Sequence, residues 1–188
     1  MTDLLAFIRS FTEFSDESWD ILCGITKETA FKKGDHLLQA GKLCHSLFYI
    51  RKGYCRAFHL QDGVEINTNF YFEKEIATNI NSYTLNIPSS FTVQACEPLL
   101  AYRFDRDEIF EAAKLAPEIE IVGKQNLQLI AAKQEKQLEL YRLLKATERY
   151  AYLEKNQPEI LQRVPLTQLA SYLGVARETL SRIRNKAS

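Results

Sequence analysis

Residues 177–184 read RETLSRIR, three arginines and a glutamate within eight positions. At helical spacing Arg177, Glu178, Ser181, Arg182 and Arg184 share the outer side, while Leu180 and Ile183 share the inner one. The forked guanidinium of arginine meets O6 and N7 of guanine together, and a glutamate accepts from a cytosine amino group. The chain carries 24 basic and 24 acidic residues and no net charge. From Arg163 to Ser188, however, five cations (Arg163, Arg177, Arg182, Arg184, Lys186) face Glu178 alone, a local +4. A neutral protein with a basic patch can still hold a polyanion locally. The chemistry open to this stretch is nucleic-acid recognition; a helical hairpin with solvated charges is the alternative.

The residues just before it have to position such a patch. Thr167 can cap a helix over about 168–173, with Leu169 and Leu173 on one face and small Ala170 where a second helix must cross closely. Gly174 accepts the left-handed conformation that ends a helix sharply, and Val175 can tuck beneath the turn. The second helix then runs from about Arg177 to Asn185. Counting Leu166 as the first position, alanine falls fifth, glycine ninth, and Leu180 and Ile183 fifteenth and eighteenth. These positions meet the packing requirement of a helix-turn-helix, whose second helix lies in the major groove.

Upstream the texture changes twice. Residues 3–30 read as helical, with stripes of Leu4, Leu5, Phe7, Ile8 and Phe11, then Trp19, Ile21, Leu22 and Ile25, and a helix start at Ser15 and Asp16. From Phe31 four glycines punctuate short alternating runs at 47–50, 54–58 and 64–68, and Gln61-Asp62-Gly63 signals a hairpin. Runs at 91–95 and 99–104 add two strands on either side of Pro98. Asp105 can cap a short helix through Lys114. A long helix follows over 118–139, then another over about 140–155 that stops ahead of Pro158. Strands gathered between helices imply an α+β protein. Two domains are expected, a strand block of sandwich or barrel type with flanking helices (1–117) and a helical end (140–188), with the long helix (118–139) as the linker between them.

Other chemistry finds little support. Cys23, Cys44, Cys55 and Cys96 form no CxxC pair and read as small core residues; His36, His45 and His59 show no ligand spacing. No catalytic pair, metal site or cofactor motif is visible, so a non-enzyme is expected. No apolar run approaches the roughly 20 residues that span a bilayer, and no signal peptide is read at the start, so a cytoplasmic protein without a membrane partner is expected.

At VPLTQLASYLGVARETLSRIR the sequence resembles the catabolite activator (Crp/Fnr) family of bacterial transcription regulators. ATERYAYL (146–153) is similar to the helix that opens the family's DNA-binding domain, and FKKGDHLLQAGKLCHSLFYIRKGYCRAF to the strand block of its cyclic-nucleotide-binding β-roll. The helix near 118–139 resembles the dimer helix. The resemblance implies an N-terminal double-stranded β-roll, a long dimerisation helix and a C-terminal helix-turn-helix of winged-helix type, its wing short or absent because only Asn185 to Ser188 follow. It implies a homodimer on double-stranded DNA, with RNA polymerase as a further partner and a small-molecule effector of unknown identity. Arg177, Glu178 and Arg182 match the family's base-reading residues; Ser181 would be a lesser contact, and Thr167 and Thr179 phosphate contacts.

The effector loop departs from the family pattern. Nucleotide-binding members carry Gly-Glu and then Arg-Ser or Arg-Thr, the arginine neutralising the cyclic phosphate. Here Lys74 stands where glycine is expected, Glu75 matches the glutamate, and Ser89-Ser90 replaces Arg-Ser. A buried phosphate without its arginine loses its charge partner, at a cost of several kcal/mol. Cyclic AMP is therefore not the expected ligand. Iron–sulfur sensing would need clustered N-terminal cysteines, and Cys23 stands alone there. Two other readings stay open: a small-molecule-binding or cupin-like roll, and a protein-interaction module, each with an incidental helical tail.

Overall fold

The computed structural model describes every residue except Phe11 and Ser188, with Lys186 and Ala187 described by backbone alone. The expected stripe position at Phe11 lies outside the described residues. Two helices open the chain, α1 (Thr2–Arg9) and α2 (Asp16–Ile25). Ser15 caps α2, its side chain accepting from the Ser18 N–H. The helical reading then fails over residues 27–30. Lys27–Phe31 is strand β1, paired antiparallel with Leu99–Arg103. Thr26 in extended conformation ends α2, and the β-favouring Thr29 and Phe31 join a sheet that local helical periodicity could not register.

Seven more strands follow: β2 (His36–Leu38), β3 (Ser46–Lys52), β4 (Cys55–Gln61), β5 (Val64–Tyr71), β6 (Ile76–Ala77), β7 (Thr92–Ala95) and β8 (Leu99–Asp105). They form two four-stranded sheets, β1-β8-β3-β6 and β2-β7-β4-β5. The 61–63 signal is a true turn between β4 and β5, with Asp62 and Gly63 both at positive φ (51° and 78°), as a tight hairpin requires. Gly53 is obligatory for a different reason: a Cβ there would sit 2.5 Å from the Pro98 carbonyl oxygen. Strands β2 and β6, of three and two residues, and the short helix α3 (Ile80–Leu85) were not expected.

Period-two alternation builds two cores. Phe48, Ile50, Cys55, Ala57, Val93, Ala95, Leu99 and Ala101 face each other inside the roll. On the opposite side of the β1-β8-β3-β6 sheet, Tyr49, Tyr102 and Phe104 pack against Leu4, Ile8 and Leu22 from the opening helices. Helix α4 (Arg106–Leu115) starts where expected, but Asp105 does not cap it. Its carboxylate instead takes bonds from Ser46 Oγ (2.7 Å), Arg103 Nε (2.7 Å) and Lys27 Nζ (2.8 Å).

Helix α5 (Pro117–Leu143) has 27 residues, about 40 Å of rise, and runs through the expected break at 139/140. Then come α6 (Ala146–Asn156), α7 (Pro158–Arg163), α8 (Leu166–Leu173) and α9 (Arg177–Ala187). The chain divides into two compact units: residues 1–57 with 70–129, and residues 58–69 with 130–188. The first is the body of the roll and its flanking helices; the second holds the hairpin tip and the closing helices.

Candidate nucleic-acid interface

Within the second unit, α8 and α9 are joined by the three residues Gly174, Val175 and Ala176. Gly174 adopts φ 70°, and the Val175 N–H closes onto the Ala170 carbonyl at 3.0 Å, so the helix ends in a left-handed glycine cap. Thr167 is not the cap. The helix starts at Leu166 with Pro165 in the cap position, and Thr167 is an exposed first-turn residue. Proline, which lacks an N–H and disfavours helical backbone in the residue before it, sets the boundary two residues early.

Leu169, Ala170, Leu173 and Leu180 are buried, and Leu180 is 0% exposed. Ile183 is half-buried on the same side. The outer side of α9 carries Arg177, Glu178, Arg182 and Arg184, all exposed, with Ser181 and Thr179 half-buried beside them. Arg182 leans along the helix, Nη2 to Thr179 Oγ1 at 3.4 Å. Among the described residues, Arg177 and Glu178 make no side-chain bond to protein. The fold thus brings the residues singled out on α9 onto one solvent-facing surface and places Thr167 on the neighbouring helix.

Sequence reasoning missed the residue that positions this pair. Arg149, on α6, donates Nη1 to the Leu173 carbonyl (2.9 Å), Nη2 to Tyr141 (3.0 Å) and Nε to Leu144 (3.0 Å). One guanidinium therefore caps both α5 and α8, satisfying carbonyls their helices leave orphaned. It also stacks over the Tyr141 ring at 4.5 Å, and Tyr141 meets Tyr172 edge-on. Burial pushes the Tyr141 phenol up, and the Arg149 charge works against that rise. No local signal marks such a role, because its partners lie 5, 8 and 24 residues away. A second unforeseen contact joins α8 to the hairpin. Ser171 Oγ donates to the Glu65 carbonyl and accepts from the Asn67 N–H, both at 3.0 Å, closing part of the open edge of β5.

The effector-loop candidates lie in the first unit, at the two ends of the segment 72–92. Lys74 is exposed and holds φ 68°, the left-handed backbone that glycine would supply. Glu75 is half-buried, and its Oε2 accepts from the Phe72 N–H at 2.9 Å. Ser89 is 3% exposed. It accepts from Asn79 Nδ2 (2.8 Å) and donates to the Phe91 carbonyl (2.7 Å). Asn79 also caps α3 through the Ser82 N–H, and Ser82 Oγ takes the Cys44 N–H at 2.8 Å. Ser90 is exposed. Ser89 and Glu75 thus serve the loop's own backbone.

Residues 28–114 match the family model described as the cyclic nucleotide-binding domain. Over the whole chain, the domain and the helices after it have the fold of Crp/Fnr regulators. The Thermus thermophilus catabolite activator protein is 19% identical, with 94% of this chain and 84% of that one covered and a TM-score of 0.59. The c-di-GMP responsive global regulator CLP of Xanthomonas campestris is 14% identical over 92% and 91%, TM-score 0.72. FixK2 of Bradyrhizobium japonicum is 16% identical over 86% and 84%, TM-score 0.69. No curated protein matches the chain by sequence.

All four cysteines are free thiols: Cys44, Cys55 and Cys96 lie within the matched stretch, and Cys23 lies on α2 ahead of it. Burial raises Cys55 well above its ordinary value and Cys96 to about 11, which makes both poor nucleophiles and poor ligands. Among the described residues no group of three or more His, Cys, Asp or Glu is placed to hold a metal, and no helix is long and apolar enough to cross a membrane.

Proposed function

We propose that the chain is a sequence-specific, DNA-binding transcription regulator of the Crp/Fnr type. The observation that carries the reading is the surface of α9: exposed arginines on one side, fully buried Leu180 on the other. In the major groove Arg177, Glu178 and Arg182 read base edges, with Ser181 as a lesser contact. Thr167 and Thr179 touch phosphate oxygens, and Arg184 adds charge on the same side. The fold shared with regulators supports this assignment. The active form is a homodimer on a two-fold site, joined through α5, whose exposed Leu127 and Leu138 recur on one side of the helix.

The roll answers to an effector other than a cyclic nucleotide. Ser89 and Glu75, two of the positions that would hold the nucleotide, are bonded within their own loop, and no arginine stands at 89 or 90. The functional reading is tested by selecting duplexes from a random pool and measuring their affinity against salt. A two-fold consensus is expected, with affinity falling steeply as counterions are added. Recovery of unrelated sequences bound equally well would remove the proposal. Cyclic AMP or cyclic GMP added to the protein should leave its melting temperature unchanged.

A further inference from the structure

The mouth of the roll between β1, β2 and the 39–46 crossing contains a pocket of about 310 Å³. None of its lining residues belongs to the 72–92 segment. Phe31, Leu38 and Phe48 form an apolar wall, the two phenyl rings edge-on at 5.7 Å. Arg103, His36 and His45 supply the polar side, and no carboxylate lines the space. Arg103 is already oriented: its Nε donates to Ser46 Oγ (3.0 Å) and Asp105 Oδ1 (2.7 Å), and its Nη2 lies 2.6 Å from Asp105. Its Nη1 has no partner among the described residues, nor has the imidazole of His45. His36 is held on both ring nitrogens, by Gln39 at Nδ1 (2.8 Å) and by Gln94 at Nε2 (3.3 Å).

We propose that this mouth binds a small aromatic carboxylic acid. The ring lies against the Phe31–Phe48 wall, which favours offset or edge-on aromatic contact. The carboxylate takes charge-assisted bonds from Arg103 Nη1 and the imidazole of His45, with His36 held beside them by Gln39 and Gln94. The volume stands at the lower end of ordinary ligand pockets, which suits a single ring and not a nucleotide. Occupancy would reach the domain's family segment directly. The crossing that carries His45 is tied to it by Gly41 N–H to the Ser89 carbonyl (2.7 Å), Ser89 N–H to Lys42 (2.8 Å) and Cys44 N–H to Ser82 Oγ (2.8 Å).

The test uses the full chain with benzoate, phenylacetate and 3-phenylpropionate as probes, read by calorimetry and by melting temperature. At least one acid should saturate a single site per chain and raise the melting temperature, while phenylacetamide does neither. His45→Ala and Arg103→Met should each weaken binding about tenfold or more, and Leu43→Trp, at the pocket's exposed edge, should block it. Ser90→Ala should bind like the parent. Should Arg103→Met fail to fold, as judged by circular dichroism, the other two variants decide alone. The proposal is overturned by no saturable binding of any acid, by equal binding of the neutral amide, or by binding that survives both His45→Ala and Leu43→Trp.

Discussion

Two surfaces of this molecule carry the residue types of a ligand site, and they treat their polar groups in opposite ways. On α9 the guanidinium of Arg177 and the carboxylate of Glu178 face solvent with no protein partner among the described residues. In the segment 72–92 Ser89 is buried between Asn79 and Phe91, and Glu75 caps its own turn. A polar group already bonded inside the fold gains little from a ligand, because binding must first break what it has. A group held by a rigid scaffold but facing water has capacity to give. The contrast supports the proposed recognition role of the helix, and it leaves Ser89 and Glu75 bonded within their own loop.

The largest effect should come from the anchor behind the helix. Leu180→Ala leaves a cavity in the second unit and is expected to cost about 2–5 kcal/mol in chemical unfolding, abolishing DNA binding with it. Next comes Arg149→Met, which uncaps α5 and α8 together. A loss of about 1.5–3 kcal/mol is expected, and Arg149→Lys should not restore it, because a point charge cannot reach three carbonyls. If instead Arg149→Met bound DNA and unfolded like the parent, the helix pair would owe its placement to packing alone.

In the loop, Ser89→Ala strips Asn79 Nδ2 of its acceptor in a buried setting and should cost about 1–3 kcal/mol of stability with no change in DNA affinity. The smallest effect concerns Asp105. Burial alone would raise its carboxyl, but the bonds from Lys27, Ser46 and Arg103 outweigh burial and hold it at about 2, against an ordinary 3.8. A carboxyl lowered on folding contributes stability that is full above pH 3.8 and is lost as pH falls toward 2. Acid unfolding of Asp105→Asn should therefore be flatter than the parent's across that window. Parallel curves would show that the Asp105 cluster adds no stability of its own.

Much of this was legible in the sequence, for reasons visible at particular residues. Alternation marked the long strands, Asp62-Gly63 marked the hairpin, and Gly174 with Ala170 and Leu180 marked the helix pair, because each signal is local. Strands β2 and β6 are too short to show a period. Pro158 was read as a stop, yet it opens α7 at the first helical position, where its missing N–H costs nothing. The end of α5 at Leu143 carries neither glycine nor proline; Arg149 supplies the stop from the next helix. Thr167 and Asp105 had the right chemistry for caps, but Pro165 displaced one boundary and Lys27, Ser46 and Arg103 claimed the other side chain. The partners that settle Asp105 and the end of α5 include groups far along the chain, Lys27 and Ser46 78 and 59 residues from Asp105 and Arg149 five residues beyond Leu144, which no short window of sequence shows.

The most direct test compares the parent with Arg182→Ala on a selected duplex and on the same duplex with one guanine replaced. For the parent, discrimination of about 1–3 kcal/mol at the replaced position is expected, and for Arg182→Ala that gap should close while Leu180 stays packed and the melting temperature holds. An undiminished gap in the variant, or none in the parent, would contradict the claim that α9 reads DNA.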